Sequence, residues 1–263
     1  MISWKILFLK EIYGSKQWIQ LNILLLILLI VYSLISNTAD TRLFILLGII
    51  LFHVAYLPCW AFYSIFKELK EHTFTHWLNL PHSGLVLLSA KFVSGLSLMA
   101  VSLTISMLAA ILPALFGVNA PHGLDYALSL WASHKFGLFF LITVISSIFA
   151  GAQVILAFML AKSLHAFRML AAFGLLALLS LLQKLMISSP LLVKLTQWGP
   201  LFSSPAADWW GQMADQHYDI YVLLQSVSNI MNLMYVGVLV IGLVASILFL
   251  WLSSKLLDKY VHV

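Results

Sequence analysis

The chain has 263 residues, 62% of them hydrophobic and 9% charged, with a formal net charge of +5. Soluble domains carry about 25% charged residues, so this composition excludes a water-exposed globular protein and calls for one embedded in lipid. A bilayer core of about 30 Å takes about 20 apolar residues per helix, which leaves space for six spans and loops but not for a large soluble domain.

The single cysteine, Cys59, excludes an internal disulfide and reads as a small buried apolar residue. The basic residues form no soluble patch, so nucleic acid is not an expected partner; beside membrane spans they mark the cytoplasmic side instead.

In chain order, residues 1–16 (MISWKILFLKEIYGSK) place Ile2, Ile6, Leu9 and Tyr13 at helical spacing among Lys5, Lys10, Glu11 and Lys16. The pattern predicts an amphipathic helix at the membrane interface, with Trp4 and Tyr13 at headgroup level. The apolar run that follows is too long for a cleaved leader. The first span is expected over 18–35, with Asn22 its one strongly polar interior residue. A short loop leads to the second span, 43–66, which contains His53 and Pro58; proline inside a helix frees a carbonyl and kinks it.

Next comes the longest polar interruption of the first half, Phe66 to Lys91 (FKELKEHTFTHWLNLPHSGLVLLSAK). A third span is expected over 92–116, where Ser102, Ser106, Ala110 and Ala114 recur every four residues as a packing face. A fourth follows over 136–161, with Thr143, Ser147 and Gly151 at the same spacing, and a fifth over 169–187. Residues 188–229 hold Trp198, Trp209, Trp210, Tyr218 and Tyr221, broken by Pro190, Pro200 and Pro205. Such sequence suits short re-entrant or interfacial helices. The sixth span is expected over 230–251, before a basic tail. No internal repeat marks the chain.

The expected fold is therefore all-α and polytopic, one transmembrane domain over 1–263. With the N-terminus inside, ten basic residues (Lys5, Lys10, Lys16, Lys67, Lys70, Lys91, Lys162, Arg168, Lys255, Lys259) face the cytoplasm and four (Arg42, Lys135, Lys184, Lys194) face out. Both termini and the 66–91 stretch are then cytoplasmic, in the cell membrane.

Catalytic signatures are missing. There is no Gly-x-Ser-x-Gly elbow, no His-Glu-x-x-His helix, no phosphate-cradling glycine loop and no pair of carboxylates within the expected spans. Glu71, His72, His76 and His82 form the one tempting cluster. His72 and His76 share a helix face and could grip a metal, but solvated polar residues on a wet helix account for them better, so no metal site is expected. His53, the ionisable residue well inside a span, is a functional candidate by position; a neutral histidine bonded to a neighbouring helix or a freed carbonyl is the plainer reading.

The acidic and basic residues after the second span, then Trp77-Leu78-x-Leu80-Pro81-x-Ser83, then Ala90-Lys91 leading into the third span, resemble the permease subunits of ABC-2 type transporters. The layout resembles that family too: an N-terminal amphipathic helix with Lys10-Glu11, six spans, both termini inside and an aromatic loop between spans five and six. The resemblance implies that 67–80 is a coupling helix seated on a separate ATPase. Lys67, Glu68, Lys70, Glu71 and His72 would supply its polar contacts, Phe74, Trp77 and Leu80 its apolar side, and Pro81 its end. It implies a dimer with a second permease copy, ATP and Mg bound by the partner ATPase, no cofactor in this chain, and export as the activity. His53, Pro58, Trp198, Trp209 and Trp210 are the candidates for the path or its outer gate. Two other classes stay open: an intramembrane metal-dependent enzyme, and a non-transporting immunity or sensor protein.

Overall fold

The structure, a computed structural model, describes residues 4–35, 39–71, 82–109, 134–163, 174–179, 181, 194, 196–200 and 235–261. Its principal helices are α1 (Trp4–Gly14), α2 (Lys16–Ile35), α3 (Ala39–Lys70), α4 (Gly84–Ala109), α5 (His134–Ser163) and α6 (Val236–Val261). No β-strand occurs among the described residues, and one isolated bridge pairs Pro200 with Tyr235. Long runs of Leu, Ile, Val and Phe become helices because backbone polar groups in lipid must be satisfied within the segment.

Among the described residues four helical stretches are long and apolar enough to cross a bilayer: Gly48–Glu68, Gly84–Ala109, Gly137–Ser163 and Val236–Lys259. A fifth is reached if the bent pair Trp4–Gly14 and Lys16–Tyr32 forms one span. The chain is thus an α-helical membrane protein. The residues expected to form the interfacial helix and the first span are helical, in α1 and α2, which meet at Ser15 with a bend of 55°. There the Ser15 N–H donates to the Ile12 carbonyl at 3.2 Å, and the Ser15 carbonyl accepts the Ile19 N–H at 3.0 Å. Of the expected fifth span, 169–187, only 174–179 and 181 are described, and they are helical.

The chain divides into two units, Met1–Leu176 with Ala245–Val263, and Ala177–Val244. In the first, α3 is the central element. It packs most extensively on α5 and then on α4; α2 touches both α3 and α4, and α1 lies along α4. Two glycines set the close approaches. A Cβ on Gly95 of α4 would fall within the Trp60 indole of α3, and one on Gly151 of α5 would press on Leu57. Ser102, Ser106, Thr143 and Ser147 are all buried, as small residues at helix crossings should be.

Pro58 lies within α3, as expected. One residue before it, the Leu57 N–H donates to Ser147 Oγ of α5 at 3.3 Å, which ties α3 to α5 beside the proline. The cysteine corrects its expectation: Cys59 is exposed. It shares a helix face with Leu51, Phe62 and Phe66, all outward-facing, and an apolar thiol is at home on a side that meets lipid.

In the second unit, Thr196–Pro200 runs beside the start of α6. The Val236 N–H donates to the Gly199 carbonyl at 3.0 Å and the Gly237 N–H to the Trp198 carbonyl at 3.3 Å. Gly199 takes a left-handed φ of 65°, and Gly237 has no space for a Cβ against the Thr196 carbonyl and the Trp198 ring.

Candidate functional site

Two polar clusters join α3 to α4. The first lies at the end of α3, next to the polar stretch singled out in the sequence. Lys91 of α4 is 4% exposed at its side chain; its Nζ donates to Glu11 Oε1 of α1 at 2.7 Å and to Glu68 Oε1 of α3 at 3.3 Å. Lys10 of α1 closes on the same Glu68 oxygen at 3.2 Å from a side chain that is 53% exposed. Bringing one such charge out of water costs several kcal/mol unless opposite charges and hydrogen bonds compensate it, so Lys91, Glu11 and Glu68 stand or fall together, while the half-exposed Lys10 is an outer addition.

The surroundings hold the cluster in register. Trp60 Nε1–H donates to the Lys91 carbonyl at 3.1 Å, and Ser94 Oγ donates to the same carbonyl at 2.7 Å. Trp60 packs edge-on against Trp18 of α2, with ring centroids 6.2 Å apart. Lys67 Nζ donates to the Gly14 carbonyl at 2.6 Å, placing a cation on the C-terminal end of α1, where the helix dipole favours it. At the start of α4 the Gly84 N–H donates to Asp258 Oδ1 of α6 at 2.6 Å.

The helix expected to begin at Phe92 therefore begins at Gly84, and Lys91 is inside it. A lysine in an apolar sequence reads as a boundary; here Glu11 and Glu68 neutralise it within the protein. Of the residues expected on the ATPase-docking face, Lys70 and Glu71 are exposed and Lys67 is partly so, whereas Glu68 is turned inward. His72, Phe74, Trp77, Leu80 and Pro81 lie outside the described residues, and so do Trp209 and Trp210. Of the Glu71, His72, His76 and His82 group, only Glu71 and His82 are described, and no cluster of three metal-ligating side chains occurs among the described residues.

The second cluster lies about four turns back along α3, toward its N-terminus. His53 is buried, with Nδ1 2.7 Å from the Ile49 carbonyl and Nε2 2.9 Å from Ser102 Oγ of α4. Ser102 Oγ is 2.9 Å from Asn22 Oδ1 of α2, and Asn22 Nδ2 is 3.1 Å from the Tyr56 hydroxyl. The His53 and Tyr56 rings are stacked, 6.1 Å apart and within 6° of parallel. His53 thus has a partner on a neighbouring helix, as its plainer reading asks, while its backbone partner is the Ile49 carbonyl one turn back rather than a carbonyl freed at Pro58. Trp198, also a path candidate, is exposed in the second unit.

Sequence reasoning missed Glu11, Ser102, Asn22 and Tyr56 as members of these sites, and it took Lys91 for a loop residue. Two signals were present: Asn22 is isolated in an apolar run, and Tyr56 follows His53 by one helical turn. For Glu11 with Lys91, 80 positions apart, no local pattern announces the pairing.

Comparison of the chain with protein-family models, with curated proteins and with solved structures gives no match.

Proposed function

We propose that the chain is a six-span permease subunit of an ATP-driven transporter of the ABC-2 type, exporting its substrate across the plasma membrane with both termini in the cytoplasm. It works as a dimer with a second permease copy, and ATP with Mg is bound and hydrolysed by a separate ATPase. The observation that carries this reading is the Lys10–Glu68–Lys91–Glu11 cluster. It ties the end of α3, which leads directly into 72–81, to both α1 and α4.

A segment that receives a push from an ATPase must not bend independently of the spans it moves. Buried ion pairs satisfy that requirement because separating them in a low-dielectric setting is costly. In this reading Lys70 and Glu71, both exposed, dock on the ATPase with residues 72–80, while Glu68 passes the displacement inward to Lys91. Pro58 is then the place where α3 yields, and His53 and Trp198 belong to the path and its outer closure.

The test is affinity capture of the tagged chain from its native membranes, followed by ATP-hydrolysis assays in nanodiscs with any ATPase that co-purifies. Substrate-stimulated hydrolysis that is lost in Glu71→Lys with Lys70→Glu, at unchanged protein yield, is the expected result. Capture of no ATPase, together with ligand binding by the chain alone, overturns it in favour of a sensor or immunity protein.

A further inference from the structure

The hydrogen bonds around His53 admit a strict proton count. A carbonyl oxygen carries no hydrogen, so the 2.7 Å contact with Ile49 requires a proton on His53 Nδ1. If the ring is neutral, Nε2 is an acceptor and the Ser102 hydroxyl must donate to it. Ser102 has one hydrogen, so its 2.9 Å contact with Asn22 must be donated by Asn22. The amide then presents NH2 to Ser102 and its oxygen to Tyr56, whose hydroxyl donates. Every contact holds one hydrogen.

If Nε2 is also protonated, the whole chain runs the other way. Nε2–H donates to Ser102, Ser102 donates to Asn22 Oδ1, and Asn22 Nδ2 donates to the Tyr56 hydroxyl. Again every contact holds one hydrogen, and this is the amide orientation the structure has. The two arrangements differ by one proton on Nε2, a half-turn of the Asn22 amide, and rotation of two hydroxyl hydrogens. No other covalent bond is made or broken.

We infer that the buried chain His53–Ser102–Asn22–Tyr56 is a proton-binding site at membrane depth, which takes one proton on His53 Nε2 and answers by turning the Asn22 amide of α2. The facing groups allow this. Tyr56 is the titratable neighbour on α3, α2 and α4 present Asn22 and Ser102, and α5 presents Ser147 to the next turn of α3. The charged residues of α3 and α5 stand in their terminal turns, Lys16 opens α2, and Lys91 of α4 lies about 16 Å along the axis from Ser102. Proton uptake thus changes a junction of three helices with no fixed ionic partner beside it among the described residues. The inference does not depend on the transporter reading, because the site belongs to this chain alone.

The test is magnetic resonance on the full chain, labelled with 13C and 15N at histidine and asparagine, in lipid nanodiscs. The His53 signals are identified by their loss in His53→Gln. In alkaline buffer the ring is expected neutral with its proton on Nδ1, the less common tautomer. In acidic buffer it becomes imidazolium, and the Asn22 side-chain amide signals, assigned through Asn22→Gln, move over the same pH range. In Ser102→Ala, which keeps the ring, the Asn22 signals should stop following pH; this arm serves equally if His53→Gln does not fold. A neutral ring protonated on Nε2, a ring whose state is constant from acid to alkali, or Asn22 signals indifferent to His53 each overturn the inference.

Discussion

The same two helices, α3 and α4, are pinned to each other twice, and by different chemistry. At the end of α3 the connection is ionic: Lys91 with Glu68, recruiting Glu11 and Lys10 from α1. About four turns back along α3 it is made of hydrogen bonds between His53 and Ser102, recruiting Asn22 from α2. Formal charge at a helix end can draw on further polar groups and nearby water. Mid-span, a group without a local partner has only hydrocarbon to turn to, so short polar side chains that can exchange donor and acceptor roles take over. Each level also collects a different third helix, so α1 and α2 are held by separate means on either side of the bend at Ser15.

The largest effect should come from removing the shared cation. Lys91→Met leaves Glu11 without its 2.7 Å partner in a buried setting and is expected to cost about 3–5 kcal/mol. Unfolding in nanodiscs measures it. The compensated variant Lys91→Met with Glu11→Gln and Glu68→Gln should recover much of that loss; an equally unstable triple variant would show that lysine packing, not charge, holds this end together.

Gly95 stands between the two levels, and its contact with Trp60 sets the distance between α3 and α4 for both. Gly95→Ala should destabilise by about 1–3 kcal/mol through overpacking. Gly95→Ala with Trp60→Leu should regain part of it; if it does not, the glycine matters for some other reason than space.

A smaller change separates the levels directly. Asn22→Leu removes the middle of the His53 chain and leaves the ionic end intact. Measured hydrogen bonds between membrane helices point to about 1 kcal/mol. Cross-linking between α1 and α4 should be unchanged in this variant, while cross-linking between α2 and α4 falls. Equal loss at both would mean that the two levels do not act separately.

The smallest effect belongs to Lys10→Ala. Its side chain is about half exposed, so the pair with Glu68 is worth under about 1 kcal/mol and should weaken further with added salt. A loss as large as that of Lys91→Met would place Lys10 among the buried members.

The helical, membrane-embedded class was legible from composition alone, since so few charges cannot cover a water-facing surface. Pro58 and the small residues of the third and fourth expected spans were legible too, because their geometric effects are local. His53 stood out as an ionisable residue among apolar ones, and its bond to Ser102 of a neighbouring helix is of the kind anticipated, whereas the Ile49 carbonyl one turn back is not the one proline frees. The start of α4 was not legible. Hydropathy treats Lys91 as an end, and nothing within several turns shows that Glu68 and Glu11 will neutralise it. Cys59 was misjudged for a related reason: in a lipid-facing helix, apolar character no longer means inside.

The contact between the Gly84 N–H and Asp258 joins positions 174 apart and bears on the order of assembly. During synthesis α4 leaves the ribosome long before Asp258 exists. Its first turn must therefore wait for that acceptor until the chain has been made as far as Asp258. Insertion of α4 and completion of its first turn are separate events here, and α6 is the piece that completes it. Truncation before Asp258 should accordingly be felt at the beginning of α4 as well as in α6.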